Sequence, residues 1–176
     1  PDELGNWEAL ESLLLGSNKI TGTFPPSIGK MKRLKFLSVF WNKMSGMLPS
    51  ELGELENLEC LYLTNNRFSG TLPSSISNLK RLKILAIPNN TFSSFPEELG
   101  DLESLEELNA LSAFSGGRIP ENIGNLRNLK LMLLCNNKLS GEIPAGIGEM
   151  MMLEKLDLRH NELTGAIPAE IGYLDN

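Results

Sequence analysis

The hydrophobic and polar positions along the chain recur with a period of about 24 residues. Prolines recur at this period, and an isoleucine or leucine lies three positions after each of them. The next residue is glycine in every unit but one, where it is Ser77. The phased prolines are Pro1, Pro25, Pro49, Pro73, Pro96, Pro120, Pro144 and Pro168. Because a unit this short cannot bury its apolar side alone, neighbouring units must stack.

Within each unit the spacing of the leucines changes from three to two. Leu55, Leu58 and Leu61 are three apart, Leu63 follows two later, and Asn66 comes three after that. A spacing of three suits a helical or 3-10 turn, whereas a spacing of two is the period of a strand. Each unit is therefore predicted to contain a short helical segment followed by a short strand.

This pattern resembles the plant-type leucine-rich repeat, L-x-x-L-x-x-L-x-L-x-x-N-x-L-S-G-x-I-P, over essentially the whole chain. The resemblance implies an α/β solenoid, a right-handed superhelix with a concave parallel sheet and convex 3-10 turns. We expect residues 1–176 to form a single domain of about seven repeats. Since neither end carries a cysteine-paired cap, we also expect a fragment of a longer array.

One asparagine per repeat follows the strand leucines in most of the repeats. An amide that both donates and accepts can pair backbone groups of successive repeats that are otherwise buried without partners. We therefore predict an asparagine ladder of Asn18, Asn42, Asn66, Asn90, Asn137 and Asn161. The side chains of Trp7, Met31, Met132 and Met150 share the phase of the leucines and are predicted to lie in the core.

Repeats four and five depart from the pattern. Repeat four is one residue short and has Ser94 where the others have glycine, and Ala113 occupies the asparagine position of repeat five. We predict a break in the ladder and looser packing over residues 94–118.

The strand positions between the buried leucines are predicted to face outward on the concave side. Large apolar residues occupy many of them, and aromatic residues concentrate on repeats two and three. Soluble proteins seldom expose large apolar patches unless these bind something. The sequence predicts a partner-binding surface with aromatic anchors, an apolar track and a polar rim: Phe36, Phe40, Trp41, Tyr62, Leu111, Leu133, Arg159 and His160.

Composition excludes several classes of function. Apolar residues make up 41% and charged residues 22%, which is typical of a globular protein, and no apolar run is long enough for a membrane span. A net charge of −6 argues against nucleic acid as a partner. One histidine and two cysteines offer little for a metal or cofactor, so none is predicted. Carboxylate pairs such as Glu106–Glu107 fall in surface positions rather than an evident cleft, so no enzyme is expected.

Three kinds of partner remain open at this stage. A protein or peptide ligand on the concave face is favoured, since the resemblance is to receptor-like kinase ectodomains and polygalacturonase-inhibiting proteins. Homodimerisation through the concave face or the open ends, or a purely structural scaffold, is the first alternative. Glycan binding by Trp41 and Tyr62 is the second.

The cysteines and the resemblance point to different compartments. Cys60 and Cys135 lie three repeats apart, about 14 Å at the usual strand spacing, which is too far for a disulfide. Unpaired thiols, expected to be exposed, favour an intracellular protein. The resemblance favours an extracellular or cell-surface location, where Asn89 in Asn89-Asn90-Thr91 is a potential glycan acceptor on the concave side.

Overall fold

A computed structural model describes residues 2–174 of the chain, so Pro1 of the phased series lies outside the described residues. Within this range one parallel sheet joins the repeats in chain order, and it is called the main sheet below. Equivalent residues pair, so Leu13 faces Leu37 and Leu37 faces Leu61. The strands of the main sheet are Ser12–Leu14, Phe36–Ser38, Cys60–Tyr62, Ile84–Ala86, Glu107–Asn109, Leu131–Leu133 and Lys155–Asp157.

Short 3-10 turns form the opposite, convex side of the solenoid. Most of them directly follow a phased proline; Pro73, for example, has φ of −65° and ψ of 140°. The ring fixes φ and removes an N–H that would have no partner at a helix start. The turns are Asp2–Asn6, Pro26–Lys30, Ser50–Glu54, Ser74–Asn78, Glu97–Asp101, Glu121–Asn125, Ala145–Glu149 and Ala169–Tyr173.

The repeated glycine of the 3-10 turn allows successive turns to stack closely. A Cβ at Gly53 would collide with the backbone oxygen of Ser75 in the next repeat. The glycine is therefore a packing requirement set by the neighbouring repeat, which explains its period.

A second set of short parallel strands lies between the main sheet and the 3-10 turns. They are Thr21–Gly22, Lys43–Gly46, Arg67–Gly70, Thr91–Phe92, Ser140–Gly141 and Glu162–Leu163. The first four form one sheet and the last two another. Between them, within residues 2–174, only an isolated bridge from Phe92 to Phe114 continues the pairing. The pairing of these short strands is therefore interrupted at repeats four and five.

The looser packing predicted over residues 94–118 does not extend to the core, although the 3-10 turns Glu97–Asp101 and Glu121–Asn125 contact each other less than other successive turns do. Ala110 and Ala113 are completely buried, and the rings of Phe95 and Phe114 pack with centroids 3.9 Å apart. Phe114 also contacts Phe92 at 6.0 Å between centroids. These rings fill the space left by the smaller residues, so the irregular repeats retain a dense interior.

The stacked leucines form one continuous core, as the period predicts. Met31, Met132 and Met150 are fully buried, which confirms their predicted place. The prediction for Trp7 is wrong, because its side chain is 55% exposed. Trp7 lies in the first described repeat, where no preceding repeat within residues 2–174 covers it, whereas Met31 at the equivalent position is covered on both sides.

The predicted asparagine ladder is present and joins successive repeats. The Asn66 amide nitrogen donates to the Val39 carbonyl oxygen of the preceding repeat at 2.9 Å and to the Leu63 carbonyl oxygen of its own repeat at 3.1 Å. Its amide oxygen accepts from the Met44 N–H at 3.0 Å. The same bonds recur at Asn42, Asn90 and Asn161. Asn137 likewise donates to the Ala110 carbonyl oxygen, but its amide oxygen accepts from the N–H groups of Ala113 and Phe114 in the irregular repeat.

At Ala113, where the amide is missing, the backbone carbonyl replaces the side-chain acceptor. The Phe92 N–H donates to the Ala113 carbonyl oxygen at 2.9 Å. The break in the ladder therefore leaves this backbone donor paired, in keeping with the dense packing around it.

We expect Asn90→Leu to destabilise the protein strongly. The change leaves the buried Phe68 N–H and the Ile87 carbonyl oxygen without partners, at about 1–3 kcal/mol for each group. Denaturant unfolding followed by circular dichroism should show a free energy of unfolding lower by about 2–4 kcal/mol.

Asn18→Leu is the matched control for this change. Asn18 was predicted to belong to the ladder, but it is exposed and does not bridge repeats: within residues 2–174 its side chain bonds only to the Leu15 and Gly16 carbonyl oxygens of its own repeat. Its substitution should cost less than about 1 kcal/mol. Equal losses for the two variants would contradict the bridging role of the ladder.

Candidate functional site

Large apolar side chains are exposed together on the concave face of the first repeats. Leu14 is 68% exposed, Phe36 40%, Phe40 39% and Trp41 62%, while Tyr62 is half-buried beside them. These five residues are called the aromatic patch below. They lie on three consecutive strands or directly after them, so the outward orientation expected for Phe36, Phe40 and Trp41 is observed.

Gly16 determines where the ring of Phe40 lies. A Cβ at Gly16 would stand 2.6 Å from the Cζ atom of Phe40, so the ring lies against the glycine backbone of the preceding repeat. This contact supports one side of the ring and leaves the other exposed. Gly16 was not among the predicted site residues, because its role depends on a residue 24 positions away.

Trp41 occupies a backbone position that disfavours its side chain. Its φ is 53°, in the left-handed region that only glycine, asparagine and aspartate adopt readily. The equivalent residues also have positive φ: Ser17, Asn65, Asn89, Ser112, Asn136 and His160. Asparagine occupies three of these seven positions, and Asn89 donates to the Asn65 side-chain oxygen at 2.9 Å. The indole is therefore held outward at a cost in backbone energy.

The other predicted site residues lie on the same face, in the fifth to seventh repeats. Leu111 and Leu133 are half-buried, and Arg159 and His160 are exposed. His160 is five repeats from Trp41, about 24 Å at the usual strand spacing. The predicted residues thus share one face and form two groups.

Arg159 is held in place by a neighbour on its own strand end. Its Nε and Nη2 atoms donate to the two carboxylate oxygens of Asp157 at 2.9 and 2.7 Å. These bonds hold the pKa of Asp157 well below its usual range. A guanidinium has five N–H donors, so Arg159 retains donors that are not used by Asp157.

An alternating row of charges follows the edge of the main sheet. The residue before each strand is glutamate or lysine in strict alternation: Glu11, Lys35, Glu59, Lys83, Glu106, Lys130 and Glu154. Ion pairs join them within the row, at 2.8, 2.8 and 2.7 Å for the first three glutamate–lysine pairs. The hydrogen bond from Lys83 lowers the pKa of Glu59.

This row was not among the predicted features, although its alternation is visible in the sequence at a step of about 24 residues. The row gives the sheet a polar edge with little net charge.

Two expectations about the concave face are wrong. Cys60 and Cys135 are free but buried rather than exposed, and burial raises the pKa of both thiols. A buried thiol is poorly reactive, so these residues no longer argue for a reducing compartment.

Glu106 and Glu107, which were expected to lie outside any cleft, line a groove on the concave face. The hydrogen bond from Lys130 lowers the pKa of Glu106, so this carboxyl is ionised rather than poised to donate a proton.

Within the described part of the chain, no three side chains of histidine, cysteine, aspartate or glutamate come together as metal ligands would. Over the same residues, no helix is long and apolar enough to cross a bilayer.

Comparisons with known proteins agree with the geometry. A family model described as "Leucine-rich repeat region" matches residues 28–132, and a second, "Leucine Rich Repeat", matches residues 9–31, 128–150 and 152–174. No curated protein matches the chain.

Several solved structures superpose on nearly the whole chain. A TDR receptor is 37% identical over 99% of this chain and 30% of its own, with a TM-score of 0.94. The Arabidopsis receptor kinase HAESA, solved with the peptide hormone IDA and the co-receptor SERK1, is 35% identical over 99% and 29%, with a TM-score of 0.93.

The ectodomain of the Arabidopsis thaliana receptor kinase GASSHO1, solved with CASPARIAN STRIP INTEGRITY FACTOR 2, is 33% identical over 99% of this chain and 24% of its own, with a TM-score of 0.83. The chain therefore spans less than a third of the length of these three structures.

We expect Trp41→Asn to leave the protein at least as stable as the wild type. The exposed indole loses little packing, and asparagine relieves the left-handed backbone, so the free energy of unfolding should rise by up to about 1 kcal/mol. The reciprocal change Asn65→Trp at the equivalent position should lower it by about 1–2 kcal/mol. Denaturant unfolding of both variants measures this, and a clear loss of stability for Trp41→Asn would contradict the strain.

Proposed function

The chain belongs to the leucine-rich repeat family, and from that premise we propose that it binds an extended peptide or protein segment across its concave face, without catalysis. The bound segment contacts Phe36, Phe40, Trp41 and Tyr62 as its main anchors. The second group, Leu111, Leu133, Arg159 and His160, contacts a more distant part of the same segment.

The observation that carries this proposal is the exposure of the aromatic patch. Phe36, Phe40 and Trp41 are 39–62% exposed on a single repeat, next to the exposed Leu14. Aromatic side chains provide much of the binding energy at protein interfaces, and soluble proteins rarely leave them clustered in water. The tryptophan itself adds to this, because it occupies a positive-φ position that favours asparagine, and unfavourable backbone conformations concentrate at functional positions.

The proposed mechanism is preorganisation. The main sheet and the asparagine ladder fix the backbone beneath the patch, and Gly16 fixes the ring of Phe40. Since these anchors are already ordered, binding loses little of their conformational entropy.

The comparisons support a peptide or protein as the partner and a location outside the cell. HAESA and GASSHO1 were solved as complexes with a peptide hormone and with CASPARIAN STRIP INTEGRITY FACTOR 2, respectively. GASSHO1 is a membrane receptor kinase whose ectodomain was solved. We infer that this chain acts as part of an extracellular or cell-surface recognition module.

Tryptophan fluorescence tests this proposal directly. The chain has two tryptophans, so a Trp7→Phe variant reports on Trp41 alone. Peptides that bind are first selected from a displayed library of random 12-residue sequences on the immobilised wild type. Their addition should shift the Trp41 emission to shorter wavelengths as the indole leaves water. Trp41→Asn should weaken the same peptides by about 2 kcal/mol, roughly thirtyfold in Kd.

The control for this experiment is the Trp41→Asn protein, which retains Trp7. Peptide addition should leave the Trp7 emission unchanged. Selected peptides that bind Trp41→Asn as tightly as the wild type would contradict the proposal.

Self-association through the same face is the main alternative to a peptide partner. Light scattering of the wild type should give the monomer mass if the patch serves a different molecule. A dimer that dissociates in the double variant Phe40→Glu, Trp41→Glu would instead assign the patch to a second copy of the chain.

A further inference from the structure

A narrow groove crosses the middle of the concave face, between the aromatic patch and the charged far end. Its volume is about 280 Å³. It is lined by four residues of the main sheet, Cys60, Ile84, Glu107 and Leu131, and by three members of the charge row at its edge, Lys83, Glu106 and Lys130. Sites for complete small molecules are usually larger. The groove therefore suits one side chain of a longer ligand that lies across the strands.

The charges around the groove are matched except for one. Lys83 is paired with Glu59 at 2.8 Å, and Lys130 is paired with Glu106 at 2.7 Å. Within residues 2–174, no side-chain hydrogen bond or ion pair involves the carboxylate of the half-buried Glu107. A half-buried carboxylate without a partner is available to a cationic ligand.

The surroundings of Glu107 are suited to the apolar part of a basic side chain. The pairing of the main sheet places Glu107 between Ile84 and Leu131, both half-buried and facing outward. Tyr62, Ala86 and Asn109 occupy equivalent positions on three successive strands. Because Ala86 is small and buried, it leaves space between the ring of Tyr62 and the side chain of Asn109. An alkyl chain can lie on Ile84 and Leu131 beneath its charged end, as lysine and arginine stems commonly do.

The negative charge of Glu107 also extends toward the aromatic patch. Burial is the main cause that raises the pKa of the Tyr62 hydroxyl, and the Cys60 thiol and Glu107 add to it. Tyr62 therefore lies within electrostatic reach of this carboxylate, and its ring offers a π face on which a cation is also favoured.

We propose that this groove selects a lysine or arginine of the bound segment, with the alkyl stem on Ile84 and Leu131 and the cation on Glu107. This inference rests on the proposed function and adds a specificity to it. The net charge of −6 favours the approach of such a ligand.

The sheet also sets the distance, along the ligand, between its basic residue and the apolar residue that contacts Phe36. Phe36 and Glu107 occupy equivalent positions three strands apart, about 14 Å. An extended peptide covers this distance with about four residues. The preferred sequence therefore has a basic residue about four positions from an aromatic or aliphatic one.

Selection from the random 12-residue peptide library described above tests the inference. Peptides selected on the wild type should be enriched in lysine or arginine about four positions from an apolar residue. Selection on Glu107→Gln should lose this enrichment, and selection on Glu107→Lys should replace it with aspartate or glutamate. A wild-type peptide should bind Glu107→Gln about tenfold more weakly.

Glu97→Gln is the matched control, because it makes the same change in net charge on an exposed 3-10 turn of the convex side. It should leave both the selected sequences and their Kd unchanged. Circular dichroism and denaturant unfolding establish that all the variants are folded.

The other possible outcomes distinguish a failure of this inference from a failure of the proposed function. Peptides that depend on Trp41 but carry no basic preference, or carry an acidic residue that pairs with Lys83 and Lys130, would overturn the inference alone. The same holds if the basic preference survives Glu107→Gln. If no enriched peptide depends on Trp41, the inference and the proposed function both fail.

Discussion

Hydrogen bonding between successive repeats is the constraint on which the rest of the structure depends. Each short repeat bends sharply, and the bend buries backbone groups that its own residues do not pair. The asparagine amide and the main sheet pair them with the neighbouring repeat, as Asn66 does for Val39 and Met44. Because equivalent residues are held in register, their side chains align in rows across the concave face. The chemistry of that face therefore follows from which residue each repeat places in each row.

The rows divide the concave face into regions of different chemistry. The first repeats present large apolar side chains, including a tryptophan in a backbone conformation that suits asparagine. The middle repeats present a small groove with one unmatched carboxylate, Glu107. The last described repeats present Arg159, oriented by Asp157. A ligand that crosses several repeats meets these regions in a fixed order and at fixed distances, which is how a rigid solenoid can distinguish one extended segment from another.

Much of this architecture was predictable because it is repeated. The period of the prolines and leucines predicted the 3-10 turns and strands, and the asparagines predicted the ladder that Asn42, Asn66, Asn90, Asn137 and Asn161 form. The outward phase of Phe36, Phe40 and Trp41 followed from the same alternation. These features depend on positions within one repeat, which the sequence displays directly.

The remaining features depend on side chains 24 residues apart and were not predicted. Cys60 has an outward position yet is buried, because its neighbours on the adjacent strands, Phe36 and Ile84, are larger. Gly16 matters only because Phe40 lies against it. Glu107 stands out only once the neighbouring lysines are seen to be paired with other glutamates. Comparing each residue with its equivalents in the repeats before and after would have revealed the charge row and pointed to Glu107.

A crystal structure of the chain with a selected peptide would show directly whether the concave face binds the ligand. We expect the peptide to lie extended across the main sheet, with an apolar side chain enclosed by Phe36, Phe40 and Trp41. A peptide bound to the 3-10 turns or to either end of the solenoid, with the indole of Trp41 still in solvent, would contradict this expectation.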